Sequence, residues 1–344
     1  MPGAGSGGAI LTPGEGARAQ RRAERLRRLR RTDAIRDMLA ENRIHPSNLI
    51  APIFVRGGEG IVEPVPAMPG ISRYSVDAVA GYAGRLAETG VRSVILFGIP
   101  ESKDEAGTGA YAPDGVVCRA IRELKGRLPA LVVAADVCLC EYTSHGHCGV
   151  VEHGAVSNEK TLPLIARAAE EYAAAGADMV CPSSMMDGQV SAVRSALERS
   201  GHDDRIVMGY SAKYSSSFYG PFREAAGSAP SFGDRRGYQM NPANSREAMR
   251  EVETDILEGA DIVMVKPALS CLDVIAKARS RFDVPLAAYS VSGEYSMIKA
   301  ASKMGWLDER AAAMEVALSI KRAGADLIVT YFAEQLASWL GGRP

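Results

Sequence analysis

Eight short apolar runs alternate with longer amphipathic stretches along most of the chain. The runs cover residues 49–55, 93–99, 131–139, 178–184, 205–213, 261–267, 284–291 and 326–332. Short apolar runs are typical of buried strands, and the stretches between them, such as residues 159–176 and 244–260, have the periodicity of helices. Glycines that can end a helix stand just before four of the runs, at Gly90, Gly176, Gly259 and Gly324. Eight strand–helix units predict one (β/α)8 TIM barrel.

An open doubly wound sheet is the alternative architecture for such an alternation. It is disfavoured because no glycine-rich dinucleotide fingerprint follows the first run. In a barrel, chemistry belongs at the carboxyl ends of the strands. Several polar side chains fall at or just past the predicted strand ends, which indicates one functional rim. They are Cys138, Cys140, Ser183, Lys213, Lys266, Ser292 and Tyr331.

The residues before the first run divide into two predicted segments. Residues 1–17 are rich in Gly, Ala and Pro without periodicity, and we expect a disordered tail. Residues 18–45 form a predicted N-terminal arm, with eight arginines between Arg18 and Arg31 and a predicted helix at residues 33–44. Taken alone, the arginines would also suit a nucleic-acid-binding arm or a transit peptide. Residues 46–344 are the predicted barrel domain.

Composition excludes several classes of protein. The formal net charge is -1, so the whole molecule has no electrostatic basis for binding nucleic acid or a membrane surface. No apolar run approaches the roughly 20 residues of a membrane span, and no apolar signal core begins the chain, so we expect a cytoplasmic protein. Six cysteines are too few for a disulfide framework in 344 residues, and we expect free thiols or metal ligands.

Two of the apolar runs carry a lysine at their carboxyl end. Lys266 is followed only by Pro267 in the run DIVMVKP, and Lys213 is the last residue of the run RIVMGYSAK. Burial lowers the pKa of a lysine, and two neighbouring ammonium groups should lower each other's pKa. A lysine made neutral in this way can attack a ketone and form a Schiff base. The structural alternative is a lysine that merely reaches solvent at a strand end.

The segment DVCLCEYTSHGHCG, residues 136–149, contains three cysteines. Cys138 and Cys140 are two apart on a strand, so their thiols point to the same side, and Cys148 returns after a loop. Three thiolates can hold a zinc ion and leave its fourth position open, as catalytic zinc sites do. Three reduced thiols without a metal are the alternative. Two loop histidines could serve as a fourth ligand, His145 and His147.

Three segments of the chain resemble the porphobilinogen synthase family, also called 5-aminolevulinate dehydratase. They are DVCLCEYTSHGHCG, YSAKYSSSFYGPFREA and MVKPALSCLDVI, and the resemblance runs from about Arg27 to about Ala337. It implies that two molecules of 5-aminolevulinate condense to porphobilinogen with loss of two waters, an early step of tetrapyrrole and heme synthesis. It also implies a lyase that forms Schiff bases on Lys213 and Lys266.

The resemblance further implies the ligands of the site. Family members that use zinc hold the ion with three cysteines, and this chain has all three. The zinc ion would position the second substrate. Two arginines of the loop at residues 214–244 would bind one substrate carboxylate, and a serine and a tyrosine would bind the other. The cysteines are Cys138, Cys140 and Cys148, and the substrate ligands are Arg223, Arg235, Ser292 and Tyr331. Asp136 and Ser183 are further candidates beside the rim.

Regulation and assembly are implied in the same way. Glu251 matches a position that binds an allosteric magnesium ion in some bacterial members, although by spacing alone it is an exposed helix acid. The family suggests a homo-octamer in which the arm, residues 18–45, wraps a neighbouring subunit.

Gly237 stands where some members have another cysteine, so an extra zinc ligand there is not supported.

The residues leave two other functions open. A different Schiff-base barrel enzyme, such as an aldolase, would explain Lys266 and the fold but not the three cysteines. A non-enzymatic, zinc-stabilised scaffold could bind RNA through Arg18–Arg31. Such a scaffold would leave the two strand-end lysines unexplained.

Overall fold

The computed structural model describes residues 25–341. Eight parallel strands within this range form a closed barrel. They are β1 (Leu49–Arg56), β2 (Ser93–Ile99), β3 (Val132–Val137), β4 (Met179–Pro182), β5 (Ile206–Lys213), β6 (Ile262–Lys266), β7 (Leu286–Ser290) and β8 (Leu327–Thr330). Each pairs with the next along the chain, and β8 pairs with β1 through Ile328 opposite Leu49, which closes the ring. Each strand coincides with one apolar run, so the predicted TIM barrel is confirmed.

Helices follow the strands around the barrel. Between residues 25 and 341 the α-helices are α1 (Asp33–Met38), α2 (Val76–Glu88), α3 (Val116–Arg127), α4 (Asn158–Ala174), α5 (Gln189–Arg199), α6 (Gly220–Ala225), α7 (Arg246–Leu257), α8 (Leu272–Arg281), α9 (Ser292–Lys303), α10 (Glu309–Ala323) and α11 (Ala333–Gly341). Short 3₁₀ segments cover Leu26–Arg30, Pro46–Asn48, Thr108–Ala110, Ser217–Tyr219 and Leu269–Cys271. Two antiparallel pairs of short strands join Val62–Pro64 to Ser72–Ser75 and Val151–Glu152 to Ala155–Val156. None of the described helices combines the length and the apolar character that crossing a bilayer requires.

The four helix-ending glycines have the predicted role. Gly90, Gly176, Gly259 and Gly324 all have a positive φ, between 95° and 120°. At Gly324 the φ is 120°, and a Cβ would also lie 2.6 Å from the Cβ of Arg279. Glycine is therefore required at this turn into β8.

Aromatic side chains fill the barrel toward its carboxyl end. The ring centroid of Phe54 on β1 lies 5.9 Å from that of Phe97 on β2 and 6.2 Å from that of Tyr331, with which it stacks. The rings of Tyr289 on β7 and Tyr210 on β5 are 6.5 Å apart. All five rings are buried. Because such a packed interior leaves little room for rearrangement, it fixes the side chains at the rim above it.

The chain divides into two units at the bond between Arg43 and Ile44. In the first unit, α1 is capped by Thr32, whose hydroxyl accepts a hydrogen bond from the Ile35 N–H at 3.3 Å. The helix ends at Met38 instead of the predicted residue 44. Because none of its residues is buried, no packing energy extends it. The predicted tail, residues 1–17, and the beginning of the predicted arm lie outside the described residues.

Candidate active site

Lys213 and Lys266 are the last residues of β5 and β6, and they lie opposite each other in the parallel ladder. Both side chains are almost fully buried, with 5% and 6% of their surface exposed. The adjacent strand ends therefore bring both amines to one pocket at the barrel rim. Neither lysine reaches solvent in the way that the structural alternative requires.

A buried hydroxyl and a buried carboxyl lie beside Lys213. The Nζ of Lys213 donates to the carbonyl oxygen of Ser183 at 2.5 Å, and the Ser183 hydroxyl donates to Oδ2 of Asp136 at 3.0 Å. Oδ1 of Asp136 is buried without a hydrogen-bond partner among the described residues. Burial raises the pKa of Asp136, against the opposing charges of Lys213 and Lys266. Both rim candidates thus join the lysine pocket, and Asp136 keeps one oxygen free for a ligand.

The amine of Lys266 lies among four aromatic rings. They belong to Tyr210, Tyr219, Phe222 and Tyr289. The nearest ring centroid, that of Tyr289, is 4.1 Å from Nζ. Burial, followed by the charge of Lys213, lowers the pKa of Lys266 to about 7. A substantial fraction of Lys266 is therefore neutral and nucleophilic near neutral pH.

Lys213 departs from the expectation that the pKa values of both lysines fall. Burial lowers its pKa, but the negative charges of Cys148, Cys138 and Asp136 outweigh burial and raise the pKa above its ordinary value. The sequence shows both lysines but not the acidic groups that the fold brings closer to one of them. Lys213 is the charged member of the pair, and its charge helps to keep Lys266 neutral.

The rate at which Lys266 forms an adduct with a ketone should depend on pH, with an inflection at about 7. Below that pH the amine is protonated and the rate falls by about tenfold per pH unit, whereas above it the rate levels off. Replacing Lys213 by methionine removes the neighbouring positive charge, so the inflection should move upward. Borohydride trapping across a pH series, read by mass spectrometry, measures both curves. A rate that does not change with pH would contradict this role of burial.

Cys138, Cys140 and Cys148 form a buried cluster at the same rim. Their sulfur atoms all lie within 4.8 Å of one another, and those of Cys138 and Cys140 are 3.3 Å apart. Zinc–sulfur bonds of about 2.3 Å in a tetrahedron place sulfur atoms about 3.8 Å apart, so this donor set fits such an ion. Hydrogen bonds from Cys138 and Cys140 hold the pKa of Cys148 well below its ordinary value. The cluster can therefore hold a metal ion through three protein ligands.

Glu141 is a neighbour of this cluster that the sequence reasoning did not assign to the site. Its Oε2 accepts a hydrogen bond from the thiol of Cys140 at 3.2 Å, and burial raises its pKa to about 7. Asp136, Cys138 and Glu141 also place ligand atoms within 4.8 Å of one another. The signal in the sequence is an acid that directly follows Cys140, four residues past the end of β3.

The two loop histidines are not ligands of the cluster. The ring nitrogens of His147 bond to the hydroxyl of Tyr238 at 3.1 Å and to the carbonyl oxygen of Phe232 at 3.0 Å. The Nε2 of His145 bonds to the carbonyl oxygen of Glu105 at 3.2 Å. Both residues therefore connect loops, and the expectation of a histidine ligand is not supported.

Arg235 ties the loop after β5 to the loop that carries the cysteines. Its Nη2 donates to the carbonyl oxygens of Gly146 at 2.8 Å and Ser228 at 2.5 Å. The close packing depends on Gly146, which has a φ of 71° and where a Cβ would lie 2.3 Å from the carbonyl oxygen of Ala229. The loop is therefore closed over the cysteine segment in this structure.

Arg223, on α6, is half-buried near Arg235. Burial, followed by the charge of Arg235, lowers the pKa of Arg223. Among the described residues, the Nε of each arginine is buried without a hydrogen-bond partner. Two close guanidinium groups with free donors suit an anionic ligand such as a carboxylate.

Ser292 and Tyr331 lie just past the ends of β7 and β8. The Ser292 hydroxyl accepts a hydrogen bond from the Phe222 N–H at 3.0 Å. The hydroxyl of Tyr331 is 3.0 Å from that of Tyr289. Because Phe222 and Tyr289 also face the amine of Lys266, both hydroxyls belong to the pocket of Lys266.

Glu251 lies on α7 and lines a cavity of about 820 Å³ to which the two lysines do not contribute. Burial, followed by the charges of Asp187 and Glu247, raises the pKa of Glu251, so it is not simply an exposed helix acid. The same cavity is lined by further acids, namely Asp187, Asp234, Glu247, Asp255 and Glu258. The lining of this second location is therefore rich in carboxyl groups.

The chain is similar to known delta-aminolevulinic acid dehydratases over nearly its whole length. The family model described as Delta-aminolevulinic acid dehydratase matches residues 23–339. The delta-aminolevulinic acid dehydratase of Halalkalibacterium halodurans is 52% identical over 317 residues, which cover 92% of this chain and 97% of that protein. That of Methanothermobacter thermautotrophicus is 56% identical over 315 residues, which cover 91% and 96%.

A solved structure is also similar to the chain in both fold and sequence. It is the crystal structure of delta-aminolevulinic acid dehydratase (porphobilinogen synthase) from Toxoplasma gondii ME49 in complex with the reaction product porphobilinogen. The two folds superpose with a TM-score of 0.91 at 45% identity, covering 93% of this chain and 92% of that one. The chain described here therefore belongs to the delta-aminolevulinic acid dehydratase family.

Proposed function

We propose that this chain is the lyase that condenses two molecules of 5-aminolevulinate to porphobilinogen in tetrapyrrole synthesis, with loss of two waters. The observation that carries the proposal is the buried pair of Lys213 and Lys266, side by side at two strand ends of a member of this family. The purified protein should release porphobilinogen when it is given 5-aminolevulinate. Folded, metal-loaded protein that forms none would contradict the proposal.

Lys266 acts as a nucleophile on the ketone of one substrate. Its Nζ bonds to the ketone carbon, water leaves, and the resulting iminium is a better electrophile and electron sink than the ketone. The surrounding aromatic rings support this step because they exclude water and disfavour the ammonium form. Lys213, after it loses its proton, binds the second substrate in the same way.

The ion that we propose for the cysteine cluster is Zn²⁺, held by Cys138, Cys140 and Cys148. A soft, three-thiolate donor set favours zinc over magnesium or calcium. When bound, zinc would supply Lewis-acid polarisation of a carbonyl or amine of the second substrate. The three cysteines fix the position of that group relative to Lys213, whose pKa already responds to their charge.

Four side chains orient the substrates through their carboxylates. Ser292 and Tyr331 share the pocket of Lys266, so we assign them to the substrate bound there. Arg223 and Arg235 bind the carboxylate of the second substrate from the loop that closes on the cysteine segment. Holding both substrates in one orientation makes the condensation effectively unimolecular.

Replacing Arg223 by alanine should raise KM for 5-aminolevulinate by about tenfold to a hundredfold, because a charged hydrogen bond contributes about 1.5–3 kcal/mol. Steady-state kinetics measure the change. Arg236, an exposed arginine of the same loop, provides the matched control, and its alanine variant should leave KM unaltered. Equal KM values for both variants and the wild type would refute the assignment of Arg223.

A second ion, Mg²⁺, is proposed at Glu251 in the acidic cavity on α7. Added magnesium should raise the activity of the wild type but not that of a Glu251→Gln variant, because the amide removes the anionic ligand. Glu253→Gln is the control, since Glu253 is an exposed acid of the same helix that pairs with Arg281. The site is wrong if the Glu251 variant responds to magnesium as the wild type does.

Assembly is proposed to be a homo-octamer, with residues 18–45 as the connecting arm and residues 46–344 as the catalytic domain. The described part of the arm from Arg25 to Asp33 is exposed, which supports a surface available for a neighbouring subunit. Analytical ultracentrifugation of the full chain and of a chain that begins at residue 32 tests this, since only the full chain should form octamers.

We also propose a cytoplasmic location, supported by the free state of all six cysteines.

A further inference from the structure

Glu294 is a buried acid that the reaction described above does not use. It lies in the first turn of α9, two residues after Ser292, and only 1% of its surface is exposed. Its Oε1 accepts a hydrogen bond from the backbone N–H of Leu269 at 3.0 Å. Its Oε2 is buried without a hydrogen-bond partner among the described residues.

The bond between Glu294 and Leu269 joins the segments that follow two adjacent strands. Leu269 opens the 3₁₀ turn after β6 and stands three residues after Lys266. Glu294 belongs to the helix that Ser292 begins after β7. The Ala268 N–H and the Ser290 hydroxyl also lie close to the Glu294 carboxyl, so groups from both segments converge on it. One side chain therefore connects the end of the strand that carries Lys266 to the helix that carries Ser292.

Packing alone does not account for an acid at this position. Burial of a carboxyl is unfavourable, whereas an apolar side chain would fill the same space without that penalty. Helix capping is the competing structural explanation, because the carboxyl also lies close to the N–H of Val291, the residue that precedes α9. Capping would explain the interaction with Val291 but not the hydrogen bond to Leu269, which lies in the neighbouring segment.

We propose that Glu294 is a positioning residue for the condensation, which holds Lys266 and Ser292 at a fixed separation. The substrate that is bound to Lys266 as an iminium then keeps its carboxylate on the Ser292 hydroxyl while the second substrate reacts. Loss of the bond lets the two segments shift independently, and a small misplacement of this kind reduces the rate of an oriented reaction. The inference rests on the proposed roles of Lys266 and Ser292.

Three substitutions of Glu294 separate the effects of geometry, charge and volume. Glu294→Gln keeps an oxygen acceptor at the same distance, Glu294→Asp keeps the charge but shortens the side chain by one methylene, and Glu294→Ala removes the acceptor. We expect kcat to fall by at least about tenfold and KM to rise in the Asp and Ala variants, and both to stay within about threefold of the wild type in the Gln variant.

Asp308→Ala is the control for loss of a helix cap alone. Asp308 caps α10, where its Oδ1 accepts a hydrogen bond from the Ala311 N–H at 2.7 Å. This variant should melt at a lower temperature but keep the kcat and KM of the wild type. Thermal melts of all variants show which of them are folded under the assay conditions.

The outcomes distinguish the inference from the function on which it rests. If the Ala variant does not fold, the comparison of the Asp and Gln variants decides. Folded Asp and Ala variants with wild-type kcat and KM would overturn the role of Glu294, as would a Gln variant as impaired as the Asp variant. If the wild type itself forms no borohydride-trapped adduct on Lys266, the proposed function fails instead.

Discussion

A Lys266→Met variant should form no borohydride-stable adduct at this position and should lose activity by roughly 10⁴-fold or more, because the nucleophile is gone. The fold should survive, since methionine is close to lysine in volume and carries no charge into the buried site. Product assays and thermal melts measure the two properties. The variant should melt no lower than the wild type, which separates a chemical defect from an unfolded protein.

Lys303→Met is the matched control for that experiment. Lys303 is an exposed lysine at the end of α9, so its replacement should leave both the activity and the melting temperature unchanged. A Lys266→Met variant that retains a tenth or more of wild-type activity would remove Lys266 from the mechanism. Lys213 would then be the remaining candidate nucleophile at this rim.

A Cys138→Ser variant should lose its bound zinc and at least about a hundredfold of its activity, because a neutral hydroxyl replaces a thiolate ligand. Elemental analysis of the purified protein measures the zinc per chain independently of activity. The barrel should still fold, since the three cysteines form a small cluster apart from the main hydrophobic core. Restoring activity with added zinc should require a far higher concentration than for the wild type.

Cys118→Ser tests whether replacing any buried cysteine would cause the same loss of zinc and activity. Cys118 lies on α3, where its thiol points to the carbonyl oxygen of Glu171, a contact that a serine hydroxyl can also make. This variant should keep the zinc content and activity of the wild type. Full zinc occupancy in the Cys138→Ser variant would exclude the cysteine cluster as the metal site.

The barrel could be predicted from the sequence because its strands are buried on both faces. A buried parallel strand forms a short continuous apolar run, and each run from Leu49 onward became one strand. Glycines such as Gly324 marked the helix ends because positive φ leaves few other residues possible. The helix at residues 33–44 was overpredicted, since local pattern does not reveal that α1 has no core to pack against.

The positions of the candidate site residues followed from strand ends, but their electrostatics did not. The sequence places Lys213 and Lys266 at neighbouring strand ends, and the ladder brings them together. It does not show that Cys148 and Asp136 raise the pKa of Lys213 while burial lowers that of Lys266 to about 7. Asp136 lies on β3 and Cys148 on the loop that follows it, far from either lysine in sequence.

Contacts made by loops were the least predictable part of the site. The sequence offers His147 as a possible metal ligand, yet both of its ring nitrogens bond within the loops, to Tyr238 and Phe232. The sequence does not mark Glu294 as a site residue, because acids are common in the first turn of a helix. Its bond to Leu269 depends on the packing of one strand–helix unit against the next.

Each of the two rival functions leaves some of the buried polar residues at the barrel rim unexplained. An aldolase of another family would use Lys266 but would leave the buried cysteine cluster without a purpose. A zinc-stabilised RNA-binding scaffold has no use for two buried lysines whose charges interact. The function proposed for this member of the delta-aminolevulinic acid dehydratase family uses the lysines and the cysteines together.

The central claim is that Lys266 forms a Schiff base with 5-aminolevulinate. The most direct measurement is to incubate the protein with this substrate, reduce it with borohydride and map the modified peptide by mass spectrometry. We expect a reduced adduct on Lys266, with or without a second one on Lys213. Folded, zinc-loaded protein with no adduct on either lysine would contradict the account.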